Sequence, residues 1–257
     1  MPRYIRLEDH AQVDRNAVVE SYEKLLYIGE VHEQEWLVEE VTLLLGEACE
    51  AGKLGFLAME HFNIEQQEIL DGWLEDKLSF EELAAVYEKG PEGFNLRVYR
   101  PLMEAARDCG ARVIGVMPPR DKAQIASRTG SMPWLPKGAP DPRDMSREYI
   151  ELLSRLFPRE GPMARIPVER LLLAQSYKDS IASWRIAEEL KTGRSGMVLM
   201  GWAHVEVKGA VASRVSALSG LVKPGYRVVG ARLDPGELDF YLENKGLVET
   251  DYLLLAR

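Results

Sequence analysis

The chain has 257 residues, enough to bury a core without a disulfide framework or structural metal. Its 46% hydrophobic and 28% charged residues are the balance of a globular chain, not of a disordered or membrane-embedded one. A net charge of −9 speaks against a nucleic-acid partner, which needs a concentrated basic face, and against an anionic membrane surface.

Taken in chain order, the first residues contain no apolar run that could serve as a secretory leader, and no segment reaches the ~18 apolar residues of a spanning helix. The expectation is a cytoplasmic protein without a transmembrane segment, although a leader removed beforehand would leave the same sequence. Short apolar runs at 24–28, 54–59, 111–116, 196–200 and 226–233, with 252–256 as a weaker sixth, are bounded by Gly or Pro and predict buried strands. Between them, helical spacing predicts helices over 34–51, 64–74, 80–88, 95–109, 121–128, 147–157, 168–190 and 205–218. Strand, helix, strand in repetition implies an α/β fold: a mostly parallel central sheet flanked by helices, with helical insertions. No boundary or repeat interrupts it, so residues 1–257 read as one domain. Residues 131–143 carry four prolines and read as a loop, either a connector or a lid. Cys49 and Cys109, far apart in sequence, read as small apolar side chains in a reducing compartment.

Ionisable residues follow these strands directly. Glu30 and His32 come after the first, Glu60 and His61 after the second, Arg120 after the third and His204 after the fourth. In an open parallel sheet the carboxyl ends of the strands form the ligand crevice, so these residues should meet there. Two loops share the pattern Gly-x-x-His, at 29–32 and 201–204, where glycine permits a sharp turn or a close backbone approach. Gln175 and Asp179 lie four apart and share one helix face, which would orient His204 or a substrate if it looks inward. Each residue also has a structural reading, as a cap, an ion pair or a solvated face. Carboxylates with histidines serve general acid–base chemistry or hold a divalent metal, and the residues alone leave both open. Glu60, buried beside other acids, is expected to have a raised pKa and to act as a base. Arg120 is expected to border the crevice and bind a carboxylate, that of Glu60 or of a substrate.

Five segments in order, GEVH (29–32), ME with QQEILDGWL (59–60 and 66–74), MPPR (117–120), AQSYKDSIA (174–182) and MGWAHVEVKGAV (200–211), make the chain resemble the ChaN-like haem-binding proteins, grouped with Tiki metalloproteases and erythromycin esterases. The resemblance implies catalysis by positions like Glu30, His32, Glu60 and His204, with a divalent metal in Tiki-like members, or haem binding in iron uptake by a protein that can pair around haem. The expectation is therefore hydrolysis of an ester, amide or related bond in a small-molecule or peptide substrate. Glu30, His32, Glu60 and His204 would be catalytic; Arg120, Gln175, Asp179 and His61 would bind substrate; His32, His204 and Glu60 would hold a metal. The alternative is a haem- or iron-binding protein without catalysis, as a homodimer, with His32, His204, Tyr99 or Tyr177 as haem ligand.

Overall fold

A computed structural model describes residues 2–132, 134–157 and 160–256. Eight strands are present among them: β1 (Arg3–Arg6), β2 (Gln12–Val13), β3 (Leu25–Glu30), β4 (Phe56–Asn63), β5 (Arg112–Met117), β6 (Gly196–Gly201), β7 (Tyr226–Arg232) and β8 (Tyr252–Leu255). The helices are α1 (Arg15–Glu20), α2 (Glu35–Glu50), α3 (Gln67–Leu74), α4 (Phe80–Tyr87), α5 (Arg100–Asp108), α6 (Arg120–Thr129), α7 (Arg147–Leu156), α8 (Val168–Leu190), α9 (Trp202–Val205), α10 (Val211–Ser219) and α11 (Leu238–Glu243).

The strands form one sheet in the order β2-β1-β8-β7-β3-β6-β4-β5. The pairings from β8 to β5 are parallel, while β1 runs antiparallel to both β2 and β8. The mostly parallel α/β sheet is the one the apolar runs imply. The β1–β2 edge is an addition to it, because RYIR and QV are too short and too polar to stand out as apolar runs. Strand β3 is buried along its whole length. Its alternate residues feed two cores: Leu26 and Ile28 pack toward α2, α3 and α5, and Leu25 and Tyr27 toward α8 and α10. From β3 the chain moves outward to β4 and β5, then returns to insert β6 between β3 and β4. This reversal puts the carboxyl ends of β3, β6 and β4 side by side, the arrangement that opens a ligand crevice in such sheets.

Two features depart from the sequence expectation. The single helix expected over 205–218 is split into α9 and α10. Val207 leaves the helix to bridge Val248, and Gly209 turns the chain with φ +85°. The cysteines are also not free: Cys49 at the end of α2 is bonded to Cys109 just after α5, with Cα atoms 6.2 Å apart. The reading of two apolar thiols is overturned, because packing α2 against α5 brings together residues 60 apart in sequence.

Candidate functional site at the strand ends

Two carboxylate–histidine groups meet beside β6. On the α2/α5 side, Glu30 ends β3 with only 1% exposure. One of its oxygens lies 3.0 Å from His32 Nδ1 and 3.1 Å from His61 Nε2. The other accepts a hydrogen bond from the Tyr99 hydroxyl at 3.0 Å. On the α8 side, Glu60 accepts from the Gly201 amide at 2.6 Å through Oε2, while Oε1 lies 3.4 Å from His204 Nε2. His204 Nδ1 makes a short contact with Asp179, whose second oxygen accepts from the Tyr149 hydroxyl at 2.6 Å. Gln175 Nε2 lies 3.0 Å from His204 Nδ1. Gln175 and Asp179 therefore do share an inward face of α8, and that face serves His204 rather than solvent.

His32 joins the two groups. Its Nδ1 faces Glu30, and its Nε2 lies 4.0 Å from Glu60 Oε1. The His32 side chain is 36% exposed, while Glu60 is 9%, His204 5%, and His61 and Asp179 0% exposed. Solvent thus reaches the cluster chiefly at His32.

The two Gly-x-x-His glycines are close approaches, not sharp turns. A Cβ on Gly201 would sit 3.1 Å from His32 Nε2 and 3.2 Å from Glu60 Oε2. A Cβ on Gly29 would sit 2.1 Å from Glu206 Oε1, inside a separate buried network. Glu206 falls within the 200–211 segment, yet nothing in that segment names its partners. Glu206 receives the Arg232 guanidinium at 3.1 and 3.2 Å, the Tyr241 hydroxyl, and Thr250 at 3.1 Å. An acid inside VEV and an arginine at the end of a strand carry no spacing that marks them as partners.

Charge follows geometry. Burial alone would push the Glu60 carboxyl up, but the His204 charge and hydrogen bond, with His32 and Lys178, outweigh it and hold Glu60 well below the usual range. The expected raised value is thus reversed, because the neighbours of Glu60 are imidazoles rather than acids. Glu30 is likewise held low by His61 and His32 against its burial. For His204, burial favours the neutral ring, but Glu60 and Asp179 dominate and push it up to about 9. His32 is raised by Glu30 and Glu60 against its own desolvation.

The other residues expected in the crevice fall elsewhere. Arg120 does not bind Glu60: its exposed guanidinium is held by the main-chain carbonyls of Pro91 and, at 3.2 Å, Glu92. The Pro-Pro pair starts α6 here, so the side chain leaves toward the 89–95 segment. His61 lies inside, between Tyr99 and Phe94, with ring centroids at 3.9 and 4.8 Å, out of reach of a substrate at the surface. Tyr99 and Tyr177 are both fully buried, which removes them as haem ligands in this conformation. Met132 and Leu135 pack against the small core that holds Tyr177 and Ile181, and the Pro142 carbonyl accepts from Ser176 at 2.6 Å, so the described part of the 131–143 loop is tied to α8.

Among the described residues, one group has ligand atoms close enough together to share a divalent ion. Ligand atoms of Glu30, His32 and His61 lie within 4.8 Å of one another, whereas the expected set is His32, His204 and Glu60. Both ring nitrogens of buried His61 lack an aligned hydrogen bond. One carboxylate and two imidazoles form a donor set suited to a first-row divalent metal.

Ionisable groups thus converge where the strand order of this open α/β sheet reverses, the place at which sheets of this class hold their ligands. The chain belongs to the family described as haem-binding uptake, Tiki superfamily, ChaN, whose profile matches residues 21–215. Among solved structures it is similar to ChaN of Campylobacter jejuni, described by its cofacial haem binding. The two share 12% identity and a TM-score of 0.75, over 100% of this chain and 97% of that one. A structure described as bacterial protein toxins shares 14% identity and a TM-score of 0.51, over 94% of this chain and 39% of that one. These likenesses establish the fold. Comparison with curated proteins finds no match.

Proposed function

We propose that the chain is a hydrolase of an ester, amide or related bond, acting through His32, Glu30, Glu60 and His204. The observation that carries this is the placement of His32. It is the one well-exposed member of the cluster; Nδ1 is fixed by Glu30, and Nε2 stands across a 4.0 Å gap from Glu60 Oε1. Such a gap suits a bridging water. A neutral His32, oriented by Glu30, takes a proton from that water as the water oxygen bonds to the substrate carbonyl carbon, while Glu60 holds the water in place. The imidazolium returns the proton to the alcohol or amine that departs as its bond to that carbon breaks. His204, protonated between Glu60 and Asp179, fixes the charge and position of Glu60. Tyr149 in turn holds that assembly by donating to Asp179. Asp179 and His61 are buried and act through their partners, not on a substrate.

Glu30, His32 and His61 would hold a divalent metal, which when bound supplies a more acidic water at the site. A second reading, haem binding without catalysis, is favoured by family membership and by the ChaN structure. On this chain the half-exposed His32 would be the residue to hold the haem iron.

Glu60→Gln separates the two. Glutamine keeps the shape but not the charge that holds the water and stabilises protonated His32, so hydrolysis of a panel of activated esters and peptides should fall about 10²–10³-fold with the fold retained. Haemin titration followed by visible absorption tests the second reading. Wild-type rates in both Glu60→Gln and His204→Ala would remove this crevice as an active site, and a Soret shift lost in His32→Ala would then assign it to haem.

A further inference from the structure

The MPPR motif ends in an arginine for which hydrolysis has no direct use. Its guanidinium meets main chain: the carbonyls of Pro91 and Glu92, with Gly93 alongside at φ +82°. A Cβ on Gly93 would lie 3.4 Å from Arg120 Nη1, so the guanidinium lies alongside Gly93 as well as on the two carbonyls. The same segment is fastened elsewhere. Asn63 donates to the Glu92 carboxylate at 2.5 Å, and the Asn95 amide donates to Glu33 at 2.7 Å. Next in the chain is Phe94, whose ring centroid lies 4.8 Å from both His32 and His61.

We propose that Arg120 is a positioning residue: it latches the 89–95 segment by its main-chain carbonyls and so holds Phe94 against His32 and as a cover over His61. The segment has no helix or strand of its own, and Pro91, Gly93 and Asn95 are exposed. Its seat therefore depends on these few polar contacts and on Phe94 itself. A donor that carries charge makes the stronger kind of hydrogen bond to a carbonyl, which suits Arg120 to this task. The consequence for catalysis rests on the hydrolase reading above, but the latch is measurable without a substrate, so the two fail separately.

The chain has four histidines, and acylation by diethyl pyrocarbonate, located by mass spectrometry of peptides, reports each one. In the wild-type protein His61 should react slowly, because it is fully buried. In Arg120→Ala it should react about tenfold faster, the change expected when a hydrogen bond from a charged donor is lost. His204 and His10 should keep their wild-type rates. Phe94→Ala should expose His61 without touching Arg120, and the double variant should add little to it, because both act through one cover. Faster reaction of His61 in Phe94→Ala with no change in Arg120→Ala would overturn the latch. Equal acceleration of His204 in Arg120→Ala would overturn it too, since the arginine would then support the whole fold.

Discussion

Glu60 and Glu206 are both buried carboxylates facing a cation, yet they sit in opposite regimes. Glu206 takes two bonds from a permanent cation and two more from hydroxyls; it is saturated and sealed, with 0% exposure. Even so, burial outweighs Arg232 and keeps its carboxyl above the usual range. Glu60 takes one amide and leans on imidazoles that can lose their protons, at the edge of an opening. Buried charge met by guanidinium and hydroxyls builds scaffold, and buried charge met by imidazole beside solvent builds a site whose charge can change.

Removing the guanidinium breaks the comparison most strongly. Arg232→Met leaves Glu206 buried without its cation and should cost about 3–5 kcal/mol of folding stability, read by chemical denaturation. Adding Glu206→Leu should recover much of that loss, because an apolar pair needs no desolvation. No recovery would mean that the network specifies the fold through its polar bonds.

Stability as a function of pH sharpens the contrast. His204, raised to about 9 in the folded chain, contributes fully below its unfolded value of 6.5, and the contribution disappears as pH rises through about 9. Glu60, held low, contributes fully above its unfolded value of 4.5 and loses this as pH falls toward its folded value. The pair should therefore stabilise most between these unfolded values, declining on the alkaline side by up to roughly 3 kcal/mol. Denaturation curves from pH 5 to 10 (about the range in which imidazole charge changes) check this. The alkaline decline should shrink in Glu60→Gln and persist in the Arg232→Met/Glu206→Leu protein.

The two glycines give the smallest and most specific test. Gly29→Ala drives a methyl group into the sealed network and should cost about 1–3 kcal/mol. Gly201→Ala meets only tight contacts at His32 and Glu60, so stability should hold while hydrolysis falls. Equal loss of stability in both would show that the two carboxylates are equally rigid.

The sheet was legible because a strand buried on both faces must be apolar throughout, and β3 to β8 announce themselves that way. The order of strands was not legible, yet every carboxyl end lies on the same side in a parallel sheet, which is enough to group Glu30, His32, Glu60 and His204. Partners that are ordinary by pattern stay hidden: Tyr99, Tyr149, Glu206 and Arg232 arrive through tertiary contact. His61 is harder still. It faces away from Glu60, as strand alternation requires, but alternation does not say that the α2/α5 side it enters carries the Glu30 carboxylate and the Tyr99 ring. Cys49 and Cys109 escape notice for the same reason, as nothing local in either helix records the packing of one on the other.

The bond between those cysteines makes residues 49–109 a covalent ring. Glu60, His61, Phe94 and Tyr99 all lie within it, so half of the candidate site is enclosed by a tether that conformational opening cannot release. Closing a loop of that size removes roughly 4 kcal/mol worth of freedom from the unfolded chain. A protease that cuts the exposed turn at 89–93 would therefore leave one molecule, not two: the severed halves stay joined through α2 and α5, and the break becomes visible only after reduction.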